Sequence, residues 1–137
     1  MRPSTIAFVS DTSRRADKIS LAYNQTNQSF LLSSISTIFK SSNLEKLDIA
    51  FLYLWFCRPE FDRFARYNSW GSARETFSWD DMQRVKIPLA PIEVQRSIVA
   101  LYNCAEEARA IAEEAREQLK DLAPAMVQRA ANTPIEI

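Results

Sequence analysis

Ser69 to Ile98 reads SWGSARETFSWDDMQRVKIPLAPIEVQRSI, and it contains the chain's one glycine, Gly71, set between Trp70 and Ser72-Ala73-Arg74. A turn is therefore predicted over Asn68 to Ser72. Ser78 stands as a helix N-cap before the half-turn Trp79-Asp80-Asp81-Met82, with Asp81 at capping-box distance, where Asp replaces the usual Glu or Gln. Val85-Lys86-Ile87-Pro88-Leu89-Ala90-Pro91 predicts a short strand closed by prolines. Ile92-Glu93-Val94-Gln95 then opens a helix directly behind Pro91.

That helix carries the most regular pattern of the chain. Val94, Ile98, Leu101, Ala105, Ala108, Ala112, Ala115, Leu119 and Leu122 alternate at spacings of 4 and 3, a sustained heptad seam. A helix from Ile92 to Ala123 is roughly 48 Å long at 1.5 Å per residue, more than a small head can cover. Alanine in the middle of the seam lets a partner helix approach closely, and Leu and Ile at its ends supply most of the burial. Flanking positions are charged, and Arg109 and Glu113 stand at i,i+4 spacing for an ion pair. Pro124 is expected to kink or end the helix, with a frayed tail from Asn132 to Ile137.

Upstream, Ile6 to Val9 is a strand candidate, followed by a polar turn (Ser10 to Ser13) and a basic knot, Arg14-Arg15-Ala16-Asp17-Lys18. Ile19, Leu21 and Tyr23 alternate with small residues as in a half-buried strand. A polar tip, Asn24 to Ser29, separates them from Phe30 to Phe39, so a hairpin with a prominent loop is predicted. Asp48 is placed to cap an all-apolar helix through Ile49 to Cys57. Pro59 breaks or restarts it, and Phe61, Phe64 and Tyr67 then line one face of a second helix. The fold class is α/β (α+β): a small mixed head over residues 1–91, then one long coiled-coil-forming helix and tail over 92–137.

Composition excludes much. Hydrophobic residues at 47% and charged residues at 25% are those of a folded chain. With a single glycine, no dinucleotide fingerprint and no phosphate-cradling loop is present. Zero histidines remove the commonest general base and metal ligand. Cys57 and Cys104 have no ligand spacing and read as buried, reduced thiols. The longest apolar run, Ile49 to Cys57, is far short of the ~20 residues of a membrane span. No signal peptide is recognisable, so a cytoplasmic location is expected. Net charge is zero, divided as 12 Lys/Arg against 9 Asp/Glu in residues 1–91 and 5 against 8 in 92–137. Asp80-Asp81 reads as helix capping, Glu106-Glu107 and Glu113-Glu114 as solvated flanks, and no amino-methylation motif is found. A non-catalytic chain without metal or cofactor is expected.

Gly71 to Arg74, Trp79 to Met82, Ile87-Pro88-Leu89-Ala90-Pro91 and Glu93-Val94-Gln95 together resemble the end of a target recognition domain in the specificity subunit of type I restriction-modification systems. The resemblance covers roughly residues 5 to 130. It implies a mixed α/β domain that reads half of a split double-stranded DNA target, followed by a spacer helix that pairs antiparallel with a counterpart. It also implies modification (methyltransferase) subunits, which carry S-adenosylmethionine, and a restriction subunit, which uses ATP and Mg. Such domains are usually longer than residues 1–91, so the resemblance implies that an amino-terminal part of the domain is missing, with Met1 marking a truncated or split gene. A full subunit has two recognition domains and two helices, whereas this chain has one of each and would pair with a copy of itself or with another half-subunit.

For DNA contact the candidates are Arg14, Arg15 and Lys18; Asn24, Gln25 and Asn27 at the tip; and Asn68, Ser69, Trp70, Ser72 and Arg74 around the glycine turn. Arg reads guanine and Asn or Gln reads adenine by paired hydrogen bonds, while further cations hold phosphates. Against this, polar tips are polar simply as loops. Trp79 is expected to pack into the core; Trp70 either stacks on a nucleotide or covers the glycine turn. The competing reading is a protein-interaction module whose heptad helix binds specificity or modification subunits without reading DNA.

Overall fold

Ile6–Val9 forms β1, and its run of four apolar residues is what places it at the centre of a sheet, buried on both faces. β2 (Ser20–Tyr23) and β3 (Ser36–Phe39) flank it in the order β2-β1-β3, both antiparallel to it, with Ile6 opposite Tyr23 on one side and Phe39 on the other. A computed structural model of the chain describes residues 1–11, 18–72 and 74–132. The expected β2–β3 hairpin is not formed. Because both strands pair with β1, they run parallel to each other, and the chain between Tyr23 and Ser36 must return to the other end of the sheet. A parallel return needs about a dozen residues. This requirement explains why Phe30 to Ile35 is a crossing segment and not a strand: Phe30 pairs its backbone with Met1, and Leu32 faces Ala7, Val9 and Ala22 across a cleft of about 160 Å³.

The other face of the sheet carries the core. Ile6 and Phe8 pack there with Ile49, Leu52, Phe56, Phe61, Ala65, Phe77 and Met82. Helix α1 (Ile49–Phe56) starts where expected, with Asp48 Oδ1 accepting from Ala50 N at 2.9 Å and Phe51 N at 3.1 Å. Its buried residues are Ile49, Leu52 and Phe56, the others being half-buried. Helix α2 (Pro59–Tyr67) begins with proline at its first position. Its inward face is Phe61 and Ala65, at i and i+4, and Tyr67 is 84% exposed, so the predicted Phe61-Phe64-Tyr67 face is rotated toward the i,i+4 pair. Helix α3 (Trp79–Gln83) has a complete capping box between Ser78 and Asp81, and Trp79, expected inside the core, lies at its edge, 36% exposed, against Phe8 and Phe39 with ring centroids 6.2 and 5.4 Å away.

Val85 to Pro91 is a connector and not the predicted strand. Pro88 and Pro91 have no N–H to contribute to a ladder, yet Val85 and Ile87 still alternate onto the core. Helix α4 (Ile92–Ala131) continues through Pro124, so of the two outcomes expected there, a kink or an end, the end is ruled out. By contacts the chain divides into two units, Met1–Val99 and Ala100–Ile137. In the first, Gln95 is fully buried and Ile92 and Val99 are half-buried. In the second, every described side chain is exposed.

Both cysteines are exposed, contrary to the expectation of buried thiols. Cys57 is the residue that ends α1, turned out of the core although the adjacent Phe56 is buried in it, and Cys104 belongs to the stretch of α4 beyond Val99, where every described side chain is exposed. No described helix is long and apolar enough to cross a membrane.

Candidate nucleic-acid interface

The glycine turn is built by one backbone necessity. Gly71 has φ of +139°, and a Cβ there would stand 2.0 Å from the Arg74 carbonyl oxygen. Trp70 and Thr76 close the turn with reciprocal bonds, Trp70 N to Thr76 O at 3.1 Å and Thr76 N to Trp70 O at 3.0 Å. On its other side Thr76 bridges Asp11, and Phe77 N donates to Ser10 O at 2.8 Å. The turn is thereby fixed beside the carboxyl end of β1. Trp70, 68% exposed, and the exposed Ser72 and Arg74 project from it. This places an aromatic ring, a hydroxyl and a guanidinium on one surface turn, a set suited to stacking, hydrogen bonding and phosphate or guanine contact.

Asn68 and Ser69 have a different task. Asn68 Nδ2 donates to Phe64 O at 2.8 Å and Ser69 Oγ to Ala65 O at 2.7 Å, so both side chains terminate α2. Asn24 is likewise directed inward. It is buried, its Nδ2 donates to Gln28 O at 2.7 Å, and its Oδ1 accepts from Thr26 N and Oγ1 at 3.0 and 2.8 Å. Asn24 is thus the organiser of the tip, while Gln25 and Asn27 are exposed on it. Next to it, burial and then the Asp48 carboxylate push the Tyr23 hydroxyl above its ordinary pKa.

Lys18 is exposed, directly before Ile19, whose N–H donates to Asp62 Oδ1 at 3.1 Å. Arg14 and Arg15 lie outside the described residues. The tip and the glycine turn are not brought together: Asn24 bonds Thr5 before β1, whereas Thr76 bridges Asp11 beyond it. That separates them by six residues of strand and its extension, roughly 20 Å at 3.3 Å per residue. Asp11 and Thr76, which clamp the turn, were missed in the sequence reading. The available signal was a β-branched residue positioned to pair with Trp70 across a glycine turn.

The seam residues Val94, Ile98, Leu101, Ala105, Ala108, Ala112, Ala115, Leu119 and Leu122 are all exposed. In the first unit the side of α4 that meets the head is instead that of Ile92, Gln95 and Val99. Gln95 is the buried tie: its Nε2 donates to Lys46 O at 2.9 Å and Ala90 O at 2.7 Å, and its Oε1 accepts from Asp48 N at 3.0 Å. The expected Arg109–Glu113 pair is replaced by i,i+3 pairs, Arg109 with Glu106 at 3.7 Å and Arg116 with Glu113 at 3.4 Å. Among the described residues no cluster of Cys, Asp and Glu is arranged to hold a metal ion.

Comparison with protein-family models, with curated proteins and with solved structures gave no match to this chain.

Proposed function

We propose that the chain is a DNA-recognition half-subunit of a type I restriction-modification system, non-catalytic itself, which directs partner modification and restriction subunits to a DNA target. The observation that carries this reading is the long helix whose entire heptad seam is exposed, rooted through Gln95 in a small mixed head. An apolar stripe of that length calls for a partner helix, and a second half-subunit supplies one. The glycine turn, with Trp70, Ser72 and Arg74 exposed, is the base-reading and phosphate-holding element. S-adenosylmethionine, ATP and Mg act on the partner subunits.

A second reading is favoured by a specific observation. Asn24, Asn68 and Ser69 are engaged within the fold, and the remaining polar candidates stand at opposite ends of β1. On this reading the chain is an interaction module that binds specificity or modification subunits through α4 without reading DNA.

A salt-dependent titration against a random duplex library, with and without a modification subunit and followed by sequencing, separates the two. Enrichment of a short motif, with specific binding weakened by Arg74→Ala, supports recognition. A stable complex with the modification subunit and no enriched sequence supports the interaction module.

A further inference from the structure

A groove of about 400 Å³ lies where the end of α1, the first turns of α2 and the connector after α3 meet. Its floor is Trp55, Phe61, Phe64 and Val85. Phe61 is fully buried beneath it, and Phe64, partly exposed, stacks on Phe61 with centroids 6.3 Å apart and meets Phe77 edge-on. These contacts hold the floor in one arrangement before anything binds. The rim is cationic. Arg58 lies over the Trp55 ring at 4.2 Å and donates from Nε to Trp55 O at 3.0 Å, which fixes its guanidinium at one end. Arg84, whose side chain is 76% exposed and pairs with Asp81 at 3.4 Å, and the exposed Lys86 stand on the connector. The one carboxylate of the lining, Glu60, is engaged by Arg63 at 3.4 Å.

We propose that this groove is a docking site for an acidic, apolar peptide segment of a partner protein, independent of the seam of α4 and of the glycine turn. The charge decides the sign of the occupant: with Arg84 engaged by Asp81 and Glu60 by Arg63, Arg58 and Lys86 leave the rim net positive around an aromatic floor, and a segment that inserts Leu or Phe side chains between Asp or Glu residues matches both. An aromatic floor with a charged rim is the usual anatomy of a protein contact.

The test uses the full chain and a short fluorescent peptide of leucine, phenylalanine and glutamate, with its Gln-for-Glu and Lys-for-Glu analogues. Anisotropy is expected to show binding of the acidic peptide, at least about tenfold weaker binding of the Gln analogue and none of the Lys analogue. The Trp55 indole N–H resonance should shift on titration. Lys86→Glu and Arg84→Glu, both at exposed positions, should each weaken the acidic peptide severalfold without altering the circular dichroism of the chain. Equal binding of the three peptides, or unchanged binding by both variants, overturns the proposal. Displacement of the peptide by a single-stranded oligonucleotide overturns it in favour of a nucleic-acid groove. A change of oligomeric size in the variants overturns it in favour of a contact between copies.

Discussion

Gln95 holds three backbone groups from two separate stretches of chain: the amide N–H of Asp48 and the carbonyls of Lys46 and Ala90. Asp48 at the same time caps α1 with its side chain. One buried amide thus joins the start of α1, the end of the proline connector and the first turn of α4. Truncation to Ala removes three hydrogen bonds at once and leaves partly buried backbone groups without that partner. Gln95→Ala should therefore lower the unfolding free energy by about 3 kcal/mol, with Arg96→Ala, at the exposed neighbour, within ~0.5 kcal/mol of the wild type. Urea denaturation followed by tryptophan fluorescence measures both, and equal midpoints for the two variants would remove the role given to Gln95.

Cys57 offers a second test at this scale. The residue is exposed, but the surrounding chain screens the thiol from part of the solvent. This burial is the main cause pushing its pKa above the ordinary 9.0; the charge of Asp62 adds to it, and a hydrogen bond with Tyr53 opposes it. A folded pKa above the unfolded one means that folding favours the protonated thiol. Its stability contribution is full below the unfolded pKa and is lost as pH rises through the folded one. The rate of alkylation at Cys57 should accordingly inflect above pH 9.0 in the folded protein and move down in urea. Peptide mapping after timed iodoacetamide treatment reads this; an inflection that does not move between the two states would contradict it.

At the scale of elements, α4 has two unlike parts. Up to Val99 it is held by the head through Ile92, Gln95 and Val99; beyond, its apolar residues face solvent. The exposed i,i+3 pairs along it contribute only a few tenths of a kcal/mol each, so they do not replace the packing of an apolar stripe. Ala105→Glu combined with Ala112→Glu places like charges on the close-approach part of the seam. Light scattering should show the self-associated form reduced to monomer, while the head retains its tryptophan fluorescence. A variant that associates as the wild type does would refute the seam as the interface. The heptad spacing was readable because it is a periodic property of one element. The β2–β3 connection was not, because a polar tip between two apolar runs looks the same whether the strands pair with each other or with a third strand between them.

At the scale of the whole molecule, the proposed arrangement couples stability to association. Since the part of α4 beyond Val99 has no buried side chain among the described residues, its helix should depend on a partner. The thermal midpoint monitored at 222 nm should rise with protein concentration, as expected when only the folded form associates. A midpoint constant over a wide range of concentration would place the helix outside any dimer. If the chain reads DNA as proposed and the partner is a second copy, the two-fold axis of the protein requires a palindromic target.

The candidate site was legible in the same uneven way. Gly71 marked its turn because a positive φ and a carbonyl 2.0 Å from any added Cβ admit only glycine, a constraint written in a single residue. Asn24, Asn68 and Ser69 carried the same polar signal as true surface contacts, and only the backbone groups they meet distinguish a loop organiser or helix terminator from a recognition residue. By itself the sequence determined the caps at Asp48 and Ser78, the glycine turn, the apolar strand Ile6–Val9 and the start of α4 behind Pro91, because each follows from chemistry within a few residues or from one period. The tertiary structure alone decided the strand order, the burial of Gln95, the exposure of both cysteines and the separation of the tip from the glycine turn. Those depend on which distant backbone groups and surfaces meet, and the free energy of such contacts is set by residues far apart in the chain.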